Sequence, residues 1–103
     1  MIGFRIVDCG IATSIQDQGR PGYAHLGLGR SGAVDLSAAG VLNRALGNSE
    51  AAPVVETAGG LVLECVSRCL IATSNWTSPL LVVEGEAVRV NPEAGRQWAY
   101  LAV

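Results

Sequence analysis

Charge is scarce in this sequence. Only 16% of its 103 residues are charged, against 50% that are hydrophobic. A freely soluble small domain carries about a quarter charged residues. The deficit implies that part of the apolar surface is covered by a partner or by more chain. Clustered cations are missing as well. The seven basic residues are scattered, and the formal net charge is -2. Phosphate neutralisation needs grouped cations, so nucleic acid is disfavoured as a partner. Long apolar runs are absent, and no stretch approaches the roughly 20 residues that cross a bilayer. The opening MIGFRIVDCG, with Arg5 and Asp8, lacks the apolar core of a secretory signal. No membrane is expected, and the expected location is cytoplasmic.

Cysteine is sparse: Cys9, Cys65 and Cys69 are the three present. An odd count gives no closed disulfide framework. Cys65 and Cys69 are separated by three residues rather than two, and the single histidine, His25, lies far from all three in sequence. The spacings of a tetrahedral zinc site are lacking, so no metal is expected. All three thiols are expected to be small buried hydrophobes.

What is present falls into three stretches. Residues 1–34 open on an expected strand, residues 3–8, with imperfect alternation. Gly10, Gly19, Gly22, Gly27, Gly29 and Gly32 follow, with Pro21 among them. A segment of this kind is a functional loop or a series of tight turns. Its interleaved Ile15, Tyr23, Leu26 and Leu28 argue against disorder. Residues 36–46 read as a helix. Asp35 is a good N-cap, and Leu36, Ala39, Leu42 and Leu46 recur at helical spacing as a buried stripe. Arg44 suits the C-terminal end of the helix dipole, and Gly47 follows where a left-handed residue closes a helix.

Residues 53–103 read as short strands: 54–57, 61–65, 70–73, 80–83, 87–90 and 97–103. Turns are expected at 59–60, 67–68, 75–79, 84–85 and 91–95. Turn signals every eight to twelve residues or so suggest an all-β barrel or sandwich with one inserted helix. The last strand carries Trp98, Tyr100 and Leu101 and stops on Val103 without a polar tail. Domain ends are usually polar, so the chain reads as one domain, residues 1–103, that is the N-terminal portion of a longer one.

Three clusters carry candidate chemistry. In the first, Gln16, Asp17 and Arg20 stand among Gly19, Pro21, Gly22 and Tyr23. Glycines let a backbone approach a ligand, and a guanidinium fork suits a carboxylate or phosphate. The same residues also make an internal polar network that pins an irregular turn, and such networks are commoner than sites. In the second, Ser31 and Gly32 lead into Asp35 and the helix, where free N–H groups favour an anion. The alternative is simple capping by Asp35. In the third, Asn43, Arg44, Gly47 and Asn48 precede Glu56 in an apolar strand. Glu56 is either a buried acid or the outward-facing residue of an edge strand. Trp76, Trp98, Tyr23 and Tyr100 are expected in the core or at an interface. Gln16, Asp17, Arg20, Ser31, Asp35, Asn43 and Glu56 are thus the ligand-binding candidates, with no catalytic residue assigned.

Taken in order, these clusters resemble the opening of the family formed by the C subunits of 5-oxoprolinase, also called allophanate hydrolase subunit 2 or biotin-dependent carboxyltransferase. The residues that carry the resemblance are Ser14 to Tyr23, Ser31 to Asp35, Asn43 to Asn48 and Glu56 to Gly60. The resemblance implies a mainly β fold with one or two helices, a partial cyclophilin-like β-barrel. It implies a companion like the 5-oxoprolinase B subunit, related to allophanate hydrolase subunit 1, and possibly the A subunit as well. With these partners the family hydrolyses 5-oxoproline to glutamate at the expense of ATP. A urea carboxylase relative moves a carboxyl group from carboxybiotin to urea. A kinase-inhibitor-type relative is a regulatory binding module. Family members are much longer, so this chain is expected to bind no cofactor and to be inactive alone. ATP is implied for the assembly, and biotin for the carboxyltransferase alternative.

Overall fold

The computed structural model describes residues 3–19 and 32–103. In chain order the elements are β1 (Phe4–Asp8), β2 (Ser14–Gln16), α1 (Leu36–Ala45), β3 (Val54–Thr57), β4 (Leu61–Cys65), β5 (Cys69–Thr73), β6 (Trp76–Val82), β7 (Ala87–Val90) and β8 (Ala99–Ala102). The strands form a three-stranded sheet, β1-β4-β7, and a five-stranded sheet, β2-β3-β8-β5-β6. Neither closes on itself among the described residues. The fold is therefore mostly β with one helix, in keeping with a partial barrel. No described helix is long and apolar enough to cross a membrane.

Strand alternation builds the layers. In β8, Ala99 and Leu101 pack with Leu61, Leu63, Ile71 and Val88 in a core between the two sheets. Their neighbours Tyr100 and Ala102 project the other way, and with Val54 and Ala72 they receive Ala39 and Leu42 of α1. Both faces of β8 are covered, so all four of its residues are buried. This is why its sequence is an unbroken apolar run instead of an alternating one.

The helix forms for the reasons legible in its sequence. The Asp35 carboxylate accepts from the Ala38 N–H at 3.0 Å, which satisfies one orphan donor of the first turn. At the other end, Gly47 has φ 76°. Its N–H donates to the Arg44 carbonyl, and the Asn48 N–H to the Asn43 carbonyl, at 3.0 and 2.8 Å. That pair of bonds is the Schellman closure, and it requires a residue that tolerates the left-handed region.

Three expectations need correction. Residues 14–16 belong to the stretch expected as a glycine-rich loop, but they pair antiparallel with β3, Ser14 opposite Glu56. Residues 75–79 are expected as a turn, yet β6 begins at Trp76 and runs through Pro79. A proline is tolerated there because β6 is the sheet's edge, where one row of N–H groups has no ladder partner. Cys9 is exposed rather than buried, while Cys65 and Cys69 are buried. Burial, and then the neighbouring Cys65, push the Cys69 thiol above its ordinary value. That favours an inert hydrophobe over a nucleophile.

Candidate functional site

Glu56 occupies the middle of the five-stranded sheet, not an edge. It lies opposite Ser14 of β2 on one side and opposite Tyr100 of β8 on the other. It is 4% exposed. A buried carboxylate is costly without donors, and Glu56 has two. The Tyr100 hydroxyl donates to its Oε2 at 2.7 Å, and so does the Val34 N–H, also at 2.7 Å. The Tyr100 oxygen in turn accepts from the Asp35 N–H at 2.9 Å. One carboxylate and one phenol thus fix the two residues that lead into α1. Burial pushes the Tyr100 phenol well above its ordinary value, and the hydrogen bond to Glu56 adds to it. Tyr100 is therefore a proton donor to Glu56 throughout the ordinary pH range.

The stretch ahead of α1 is tied to the stretch after β2 through the backbone. The Ala33 N–H donates to the Asp17 carbonyl at 2.8 Å. Gly32, with φ 90°, lies so close that a Cβ there would meet the Gly19 nitrogen at 2.5 Å. The Asp17 side chain accepts from the Gly19 N–H at 2.8 Å. Gln16 donates to the Ser14 hydroxyl at 2.9 Å. Gln18 reaches the helix, donating to the Leu36 carbonyl at 3.3 Å. Arg20 and Ser31, two of the sequence candidates, lie outside the described residues, as do His25 and Tyr23. Asp35 is the helix cap at the rim of a cleft. Asn43 lies away from that rim, fully buried, donating to the Ala52 carbonyl at 2.8 Å. Its place is structural: it ties the chain after α1 back onto the helix.

Beside Tyr100 a cleft of about 260 Å³ opens between α1 and the segment before β8. Its walls include Trp98 and Val41, and its polar groups include Asp35, Asn75, Glu93 and Arg96. Sequence reasoning missed this cleft. It read Trp98 as core or interface, and residues 91–95 only as a turn. The available signal was the pair of opposite charges, Glu93 and Arg96, set around Gly95 directly before an aromatic strand. A second, more open groove of about 330 Å³ lies along α1, but its charged residues include Arg44 and Glu50, which are paired with each other. Among the described residues no group of three or more His, Cys, Asp or Glu side chains is placed to hold a metal.

Known proteins match this arrangement. The profile of the carboxyltransferase domain family, subdomain A and B, matches residues 26–103. The chain is 38% identical over 61 residues to the C subunit of the Escherichia coli 5-oxoprolinase. That match covers 58% of this chain and 20% of the relative. A crystal structure of the Kluyveromyces lactis urea carboxylase superposes with a TM-score of 0.86 at 29% identity, over 96% of this chain and 10% of that one. The urea amidolyase of K. lactis gives the same TM-score and identity, over 96% of this chain and 7% of that one. The chain therefore spans a fifth or less of these relatives.

Proposed function

From the premise that the chain belongs to the carboxyltransferase domain family, subdomain A and B, we propose that it is the N-terminal portion of a C-type subunit of 5-oxoprolinase. It contributes to ATP-dependent hydrolysis of 5-oxoproline in an assembly with the A and B subunits. The observation that carries this reading is the 38% identity to a protein named as a 5-oxoprolinase subunit. The three later motifs of the sequence, from Ser31 to Gly60, fall within the stretch matched by the family profile.

On this reading the described residues are scaffold more than catalyst. Glu56 and Tyr100 spend their polar atoms on each other and on the backbone before α1. Their role is to hold the entry to α1 against the sheet, and with it the rim of the adjoining cleft. ATP does not fit this chain's described residues. Arg5 and Arg44 are already paired with Glu64 and Glu50. Arg96 shares its cleft with Asp35 and Glu93, whose charges repel a triphosphate. The nucleotide accordingly belongs on a partner. No step of the reaction is assigned to the residues of this chain alone.

A second reading, transfer of a carboxyl group from carboxybiotin to an amide such as urea, is supported by the family's description and by the urea carboxylase superposition. It places the chain in a biotin-dependent assembly. Mixing the purified chain with the B subunit of a 5-oxoprolinase, followed by size-exclusion chromatography, tests the first reading. Co-elution is expected, with no glutamate formed from 5-oxoproline and ATP by the chain alone. Failure to co-elute, with binding instead to a biotin carboxylase partner, favours the second reading.

A further inference from the structure

The cleft beside Tyr100 has a charge pattern that the proposed function leaves unexplained. Its polar wall holds one cation, Arg96, and two anions, Glu93 and Asp35. Glu93 and Arg96 face a shared turn, in which the Arg96 N–H donates to the Glu93 carbonyl at 2.9 Å. Even so, their side chains do not pair. The ion pairs among the described residues are Arg5 with Glu64 and Arg44 with Glu50, both outside this cleft. Asp35 gives one oxygen, Oδ1, to the Ala38 N–H. The remaining wall is apolar, with Ala38, Val41 and Trp98.

We propose that this cleft binds a small zwitterion of the α-amino-acid class. Its carboxylate lies on the Arg96 guanidinium, its ammonium lies toward Glu93 and Asp35, and an apolar side chain rests against Trp98 and Val41. Size supports this class. About 260 Å³ is smaller than the roughly 300–1,000 Å³ of sites for drug-sized ligands. Charge narrows it further. A phosphate or dicarboxylate meets two carboxylates here, and a simple amine meets the guanidinium. Only a ligand that carries both signs close together satisfies all three groups. A planar guanidinium is also the side chain best shaped for a carboxylate. The site is independent of the amide-hydrolysis reading, because neither a partner nor a nucleotide is needed to form it.

The test is a titration of leucine into the isotope-labelled chain, followed by the indole N–H signal of Trp98 in NMR, with Trp76 as the internal reference. Two analogues each lack one charge: isocaproate has no ammonium, and isoamylamine has no carboxylate. Leucine should shift the Trp98 signal saturably, and each analogue should bind at least about tenfold more weakly, since charge-assisted hydrogen bonds are the strong ones. Arg96→Gln should weaken leucine by a similar factor, while Arg89→Gln, outside the cleft, should not. Arg89 and Arg96 are both exposed, so these variants keep the fold. No saturable shift with leucine overturns the proposal. So does isocaproate binding as tightly as leucine, or Arg96→Gln binding it unchanged.

Discussion

Replacing Tyr100 by Phe removes one oxygen from the centre of the fold and little else. The ring volume stays, so the packing against Leu42 and Ala39 is retained. Two hydrogen bonds are lost: the one donated to Glu56 at 2.7 Å and the one accepted from the Asp35 N–H at 2.9 Å. Glu56 keeps its bond from Val34. A bond to a charged group contributes about 1.5–3 kcal/mol, and a donor left without a partner costs about 1–3 kcal/mol. Shared relaxation makes the sum less than additive, so a loss of about 2–4 kcal/mol is expected. Urea unfolding should show a lower midpoint with an unchanged slope. The variant also has a signature in pH. Tyr100 has a raised pKa in the folded state, so unfolded chains ionise it first, near pH 10. The unfolded state then binds fewer protons, and stability falls as pH rises. The contribution is fully present below about pH 10 and is lost by about 1.4 kcal/mol per pH unit above it. Tyr100→Phe should abolish that part of the alkaline slope. A midpoint shift worth less than about 0.5 kcal/mol, or an unchanged alkaline slope, would refute the buried clamp.

The other predictions divide core from surface. Gly32→Ala should cost at least about 2 kcal/mol more than Gly47→Ala in chemical denaturation. Both glycines have positive φ, but only Gly32 has backbone at 2.5 Å from the added Cβ, whereas Gly47 has open space. Leu42→Ala, at a residue 1% exposed, should lower stability by about 2–5 kcal/mol, visible as a large fall in melting temperature. Arg5→Ala breaks a pair whose side chains are 62% and 36% exposed. It should change stability by no more than about 1 kcal/mol, and less in high salt.

The helix and most strands are legible in the sequence because their signals are local. Asp35, the Leu42 stripe and Gly47 each act within one or two turns, and each stands where its chemistry requires. The strands at 54–57, 61–65 and 87–90 agree in their bounds because turn residues bracket them. The short strand β2 is not legible. It has three residues, two of them polar, and its extended backbone is imposed by pairing with β3. Pro79 misleads for a similar reason: whether a proline breaks a strand depends on which edge the strand occupies, and that is a property of the sheet. The candidate Glu56 is legible as a carboxylate in an apolar strand, but its partner is not. Tyr100 is 44 positions away, and only the β3–β8 register places it opposite. The cleft of Arg96 and Trp98 depends on the same register, together with the packing of α1 across it.

Whether these residues are a working portion of a 5-oxoprolinase C subunit is tested most directly by a chimera. Residues 1–103 replace the matching segment of the E. coli C subunit, and the chimera is combined with the A and B subunits. ATP-dependent formation of glutamate from 5-oxoproline is then followed. Turnover by the chimeric assembly is expected, and none when the chimera is left out. A folded chimera that binds the B subunit yet forms no glutamate would contradict the proposed function.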